Sequence, residues 1–482
     1  MSLFSKKLNL GVLLLLISGS FGLHCQESEP DVAPPPPSVG TVNVSWYLTR
    51  GDGSALLAKQ ATAPNKTTDA KLPTITLNAS KTYQEMDGFG FTLTGGSASH
   101  LYNMSAARRN AILTELFDID DENVGFSYLR LSIGASDLDA EIFSYDDLPA
   151  GQTDVDMNNF SLAPDRKYLI PMLKEILAIN PNIKIMGSPW SAPVWMKTNG
   201  ATKGGGLKPM YYAAYAKYFV KYVQEMAKEG IVIDAITVQN EPLHAGNNPS
   251  LYMAPEEQLA FVKTALGPAF EAANIKTKII VYDHNADRTD YPITVLNDQD
   301  ARKYIDGSAF HLYGGVINNV SAVHTAHPDK NLYFTEQWTG APGNLPVDLR
   351  DGIRDLTIGA PRNWCKTVLQ WNLSSNPTLT PHTSDGGCTS CLGAITIDGD
   401  VVTRNPAYYV IGHASKFVRP GSLRIDSNYI NDLPNVAYKT TDGKLVVIVL
   451  NNTNESKSFN VSNGTESFTS TLAGGAVATY VW

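Results

Sequence analysis

The sequence predicts an α/β protein: a (β/α)8 TIM barrel with an appended antiparallel β-sandwich built from N- and C-terminal segments. Three observations predict it. Between residues 85 and 410, short runs rich in β-branched and aromatic residues alternate with longer stretches whose apolar residues recur every three or four positions. Eight of the short runs can be counted, the number a closed parallel barrel requires. On either side of this region the helical period gives way to short alternating strands and turn residues.

Residues 1–25 read as an export signal. Lys6 and Lys7 precede LNLGVLLLLISGSFG, an apolar run too short for a comfortable membrane span. Cys25 follows, so the segment resembles a bacterial lipoprotein signal, in which that Cys becomes the lipidated first residue. His24 and Leu23 stand where such signals carry small residues, and ordinary secretion with Cys25 trimmed away is the other reading. The acidic QESEPD after Cys25 resembles the surface-export tags of Gram-negative lipoproteins. The expected location is therefore a lipid-anchored outer-membrane or cell-surface protein, otherwise a periplasmic or secreted one. Residues 26–40, with PPPP, read as an extended linker.

Within residues 41–84, TVNVSWYLTR and TITLNAS alternate as strands and must pair outside the barrel. The barrel spans 85–410. Its strands are expected in EMDGFGFTL, YLRLSIGA, IKIMGSPW, IDAITVQN, KIIVYDHN, GSAFHLY, LYFTEQW and TVLQWNL. Helical spacing marks SAARRNAILTELF, DRKYLIPMLKEILAI, YYAAYAKYFVKYVQEMAKEG and PEEQLAFVKTALGPAFEAA between them. In 411–482, NVAYKTTDGKLVVIVLNN carries a hairpin turn at Asp442–Gly443, and SKSFNVSNGTESFTSTL and AVATYVW add further strands. The two early strands are expected to complete this small β domain.

The chain has 482 residues, 43% of them apolar, enough for one large core and a smaller domain. Its net charge of −9 argues against nucleic acid or an anionic membrane as a general partner, leaving a lipid on Cys25 as the one membrane contact. Cys388 and Cys391, in GGCTSCLG, can form a local disulfide in an oxidising compartment; a lone CxxC lacks the second ligand pair of a zinc site. Cys365, beside Trp364, reads as a buried free thiol.

In a barrel of this kind the active site lies at the C-terminal strand ends. Arg130, Trp190, Asn240, Glu241, His284, Tyr313, Glu336 and Trp371 fall there. Glu241 in ITVQNEP and Glu336 in LYFTEQW each end a separate strand. Two carboxylates facing one cleft are what glycosidic bond cleavage needs: one protonates the leaving oxygen, the other attacks the anomeric carbon. Asn240 could donate to a sugar 2-hydroxyl, and Arg130 and Tyr313 could keep Glu336 charged and aimed. Trp190 and Trp371 offer area to the apolar faces of a sugar ring; Trp195, in the next loop, reads equally well as wall or as packing. No cofactor and no metal site is expected: Asp283 and His284 read as a hydrogen-bonding pair.

The motifs EMDGFGFTLTGGSA, LRLSIGASD, SPWSAPVWMKTNG, VQNEP, HLYGG, FTEQW, QWNL and KFVRPGSLRI together resemble glycoside hydrolase family 30, from about residue 80 to the C-terminus. The resemblance implies Glu241 as acid/base, Glu336 as nucleophile, and Arg130, Trp190, Asn240, Tyr313 and Trp371 around the catalytic sugar. It implies a β-sandwich built from both ends of the chain. Within the family the sequence is most similar to bacterial endo-β-1,6-glucanases. The glucosylceramidase branch is expected to carry an Asp where this chain has Gly95, which implies a cleft left open beside the catalytic sugar. The leading expectation is a monomeric, retaining endo-hydrolase of β-1,6-glucan. The alternatives are another family 30 β-glycosidase (β-glucosidase, glucosylceramidase or xylanase) and, from other classes, a non-catalytic surface glycan-binding protein or an adhesin. Both glutamates being present argues against the glycan-binding protein, and eight loops converging on carboxylates and tryptophans argue against the adhesin.

Overall fold

The computed structural model describes residues 43–66, 68–120 and 122–482; the expected export signal with Cys25 and the linker to residue 40 lie outside them. Eight parallel strands close into a barrel: Gly88–Thr92, Tyr128–Ser132, Lys184–Ser188, Ala235–Thr237, Lys278–Asn285, Ile305–His311, Asn331–Glu336 and Cys365–Asn372. These are the eight runs read from the sequence, paired in chain order, with the last strand returning to the first. The first two are buried along their whole length, as strands covered on both faces must be. Large and small side chains fill the barrel interior: Tyr128, Met186, Ala235, Ile280, Ala309, Tyr333 and Leu369. Gly90 permits this closeness, since a Cβ there would lie 1.8 Å from the Tyr128 carbonyl oxygen.

Amphipathic helices surround the strands. Tyr212–Lys228 buries Ala214, Tyr215, Tyr218, Phe219, Tyr222 and Met226, the helical spacing that makes its sequence legible. The stretch from Pro255 to Ala272 is helical throughout but contains a π-helical turn, Val262–Leu266, just before Pro268, which has no N–H to continue the regular pattern. The last helix, Pro406–Ser415, reaches past residue 410, where the sequence pattern places the end of the helices.

Apart from two small sheets of two and three strands, the remaining described strands form a nine-stranded sheet folded around its own core of Ile75, Leu77, Val447, Val449, Phe459, Val461, Phe468 and Tyr480, among others. N-terminal Ser45–Thr49 pairs with C-terminal Val477–Val481. The long strand Thr74–Glu85 extends well past the TITLNAS run. It pairs antiparallel with Leu423–Ser427 and, at its start, parallel with Lys457–Ser462, a single parallel pairing in an otherwise antiparallel sandwich. The hairpin between Asn435–Lys439 and Leu445–Leu450 turns at Asp442–Gly443, with Gly443 at φ 87°. His413 ties the last barrel helix to both chain ends: its ring nitrogens lie 2.8 Å from Thr479 Oγ1 and 2.8 Å from Thr49 Oγ1, and burial pushes it down to about 3. Among the described residues no helix is long and apolar enough to cross a membrane.

Candidate active site

Each residue singled out at a strand end lies at one mouth of the barrel. The fourth strand is only three residues long, and the chain after it is held by Asn240 N–H donating to the Pro189 carbonyl (2.8 Å) and Glu241 N–H to the Asp283 carbonyl (3.0 Å). Glu241 takes φ 45°, and Tyr282 and Asp283 both take φ 73°. Three non-glycine residues in left-handed backbone cost about 1–3 kcal/mol each and persist only where neighbours over-determine them. Here they aim carboxylates inward.

Glu241, His311 and Glu336 offer side-chain atoms that all lie within 4.8 Å of one another. Glu336 Oε2 accepts from Arg130 Nη1 at 2.6 Å, and Oε1 accepts from the Tyr313 hydroxyl at 2.9 Å. Glu241 Oε2 accepts from Asn247 Nδ2 (3.1 Å), and its Oε1 lies 3.2 Å from His311 Nδ1. Behind them sits Asp283, fully buried. Its Oδ2 accepts from Arg130 Nη2 (2.8 Å), Ser188 Oγ (2.7 Å) and Thr237 Oγ1 (2.7 Å). Its Oδ1 accepts from Thr335 Oγ1 (2.6 Å) and faces His311 Nε2 (3.1 Å).

The electrostatics follow from this packing. Burial opposes the charge of His311, but Glu336, Asp283 and Glu241 outweigh it and raise the imidazole to about 9. Burial also opposes the charge of Asp283, yet Arg130 and His311 hold it well below the usual carboxylate range. Burial pushes Glu336 up, and the charges of Glu241 and Asp283 add to that against His311 and Arg130. For Glu241 burial is overcome by the His311 hydrogen bond, which lowers it. Lowered Glu241 and raised His311 are the directions of an ion pair across a 3.2 Å contact, with the proton on the imidazole. The same three residues have metal-ligand spacing, with both His311 ring nitrogens already facing carboxylates, Glu241 at Nδ1 and Asp283 at Nε2.

The cavity above this dyad has a volume of about 290 Å³. Trp190, Trp371, Trp338, Tyr313, His244, Asn247 and Asp137 line it, with both glutamates and the Cys388–Cys391 disulfide. Trp190 and Trp371 have ring centroids 5.3 Å apart, and the Arg130 guanidinium carbon is 4.8 Å from the Trp190 ring. Arg130, fully buried, sits behind the wall rather than on it: it clamps Glu336 and orients Asn240 by donating to its Oδ1 at 2.6 Å. The Asn240 amide nitrogen is thereby left as the free donor. His284, expected to pair with Asp283, instead lies 4.0 Å from Glu241, and burial pulls it down to about 4, so it is neutral.

One expectation fails. Gly95 does not open the cleft. It begins the helix Gly95–Tyr102, and a Cβ there would sit 1.7 Å from Asp139 Oδ1, inside the protein. Nor does the cavity lack a further carboxylate, because Asp137 supplies one; burial, then the charges of Glu336 and Glu241, raise it to about 7. Sequence reading also missed His311 and Asn247. His311 carried a usable signal, a histidine ending a buried strand two residues before Tyr313. Asn247 lies in a loop with no period to place it.

Comparison with known proteins agrees with this geometry. The glycosyl hydrolase family 30 TIM-barrel domain matches residues 86–418, and the family 30 beta-sandwich domain matches residues 421–480. An Aspergillus fumigatus protein, endo-1,6-beta-D-glucanase neg1, is 34% identical over 393 residues, 76% of this chain and 78% of its own. The lysosomal acid glucosylceramidase of Mus musculus is 29% identical over 487 residues, 95% of this chain and 92% of its own. Among solved structures, the endo-beta1,6-glucanase BT3312 superposes with a TM-score of 0.85 at 39% identity, covering 91% of this chain and 99% of that one. The chain belongs to glycoside hydrolase family 30.

Proposed function

We propose that this protein is an exported, retaining endo-β-1,6-glucanase in which Glu336 is the nucleophile and Glu241 the acid/base. The observation that carries the reading is the carboxylate pair, with atoms within 4.8 Å of each other, the close spacing of a double-displacement enzyme rather than the wider gap that admits a water. Glu336, aimed by Arg130 and Tyr313, attacks the anomeric carbon. Glu241 takes the proton held by His311, 3.2 Å away, and passes it to the departing glycosidic oxygen. The same Glu241 then takes a proton from the water that releases the glycosyl enzyme. Asn240, its oxygen held by Arg130, presents its amide to the 2-hydroxyl, while Trp190 and Trp371 cover the sugar's apolar face. Linkage and internal cleavage are drawn from the relatives named as endo-1,6-beta-D-glucanases, at 34–36% identity. Lipid attachment at Cys25 and a monomeric state complete the proposal.

A second reading has an observation in its favour. A cavity of about 290 Å³ with Asp137 in its wall suits a single terminal glucose, the geometry of an exo-acting glucosidase. Chromatography of early products from β-1,6-glucan separates the two, with gentiobiose, glucosylceramide and xylan assayed in parallel. Oligosaccharides of several lengths before glucose support internal cleavage. Glucose alone overturns it.

A further inference from the structure

We propose that a second cavity on the catalytic face, walled by Phe143, Trp195 and Tyr211, binds glucosyl units of the same glucan beyond those held at the cleavage site. The inference rests on the glucanase reading above. This cavity has a volume of about 610 Å³, against about 290 Å³ at the glutamates. Small-molecule sites run from about 300 to 1,000 Å³, so the larger space is the one with room for several sugar units. A polymer cut internally must continue outside the catalytic cavity, and this cavity offers aromatic faces beside hydroxyl and amide groups, the complementarity a sugar needs.

The walls have the required chemistry. Three half-buried aromatic rings present apolar faces, and Ser144, Gln152 and Thr153 place hydroxyl and amide groups beside them. Trp195 and Tyr211 meet edge to face, with centroids 5.0 Å apart. The indole is fixed, because its Nε1 donates to the Asp146 carbonyl at 3.1 Å. Rigid rings bind with little loss of conformational freedom.

Residues adjacent in sequence line the two cavities. Trp190 lines the catalytic one and its neighbours Ser191 and Ala192 line the second; Asn247 lines the first and Pro249 the second. The loops that carry these residues are tied together by Lys197, which is fully buried. Its ammonium donates to Ser191 Oγ (2.9 Å), the Thr202 carbonyl (2.8 Å) and the Ser250 carbonyl (2.7 Å), so one group staples the loops after the third and fourth strands. All three acceptors are neutral, and burial pulls Lys197 down to about 7.

The test measures kcat/KM of the full chain on β-1,6-gluco-oligosaccharides of increasing length. Wild type should gain with each unit that enters the second cavity. Trp195→Ala should lower the value for long chains about tenfold, the scale of losing one aromatic contact face, and flatten the length dependence. Because Trp195 also packs on Tyr211, a second variant is needed. Ala150 is exposed on the cavity wall, and Ala150→Trp fills the space without removing a packed side chain. Its result decides if Trp195→Ala does not fold. Flattening in Ala150→Trp supports the site; an unchanged length dependence in a folded Ala150→Trp overturns it. Wild type with no turnover of β-1,6-glucan would instead overturn the glucanase reading, and this inference with it.

Discussion

Replacing Asp283 by Asn tests whether the buried network, and not the glutamates alone, sets the chemistry. Asp283 is completely enclosed and faces five hydrogen-bonding groups, from Arg130, Ser188, Thr237, Thr335 and His311. The amide keeps one acceptor oxygen and turns its NH2 toward donors on the other side. Breaking a buried ion pair by removing one partner costs about 3–5 kcal/mol, because the remaining charge is left uncompensated. The variant should lose stability by that amount at neutral pH, read from chemical denaturation. Because Asp283 is held below the usual carboxylate range, its contribution is present above the ordinary Asp value and is lost as pH falls through the depressed one. The stability gap between wild type and variant should therefore narrow in strong acid. Catalysis should shift too. His311 stands at about 9 only because Glu336, Asp283 and Glu241 outweigh burial. Without Asp283 burial gains, the imidazolium loses its proton at lower pH, and the alkaline limb of kcat/KM on β-1,6-glucan, whose leaving group needs a proton, should move down by about one pH unit. A folded variant with wild-type stability and an unmoved alkaline limb would refute this account of the proton on His311.

Other variants probe single roles. Glu241→Ala should lose most activity on β-1,6-glucan but much less glycosylation rate on an aryl glycoside with a good leaving group, and azide should restore turnover as a glycosyl azide; equal losses without azide response would place the acid elsewhere. Gly95→Asp should destabilise the fold rather than narrow the cleft, because its Cβ meets Asp139 at 1.7 Å; a normal melting temperature with a raised KM for long chains would show that the side chain points outward after all.

The fold was legible because its signals are local and repeated. Eight β-branched runs and the three- and four-residue spacing of Tyr212–Lys228 need no knowledge of distant contacts. Glu241 and Glu336 were legible as strand-end carboxylates for the same reason. Arg130, buried behind Glu336 rather than on the cavity wall, was placed on the right face but not at the right depth. Asp137 and Asn247 sit in loops, where no period fixes direction. Gly95 shows the limit most plainly. The absence of a side chain was read as open space, yet the space is filled by Asp139, a residue 44 positions along the chain. Which neighbour occupies a gap is a tertiary fact that spacing does not encode. His311 was missed because its charge arises from three carboxylates brought together from separate strands.

The central claim is that Glu336 attacks the anomeric carbon directly while Glu241 manages the proton. Two displacements at one carbon return it to its starting configuration. Proton NMR of β-1,6-glucan hydrolysis, recorded before mutarotation, follows the first-formed reducing end. The account predicts that the β-anomer appears first and the α-anomer grows in afterwards. Initial α-anomer would mean a single inverting displacement by water, and would contradict the assignment of Glu336.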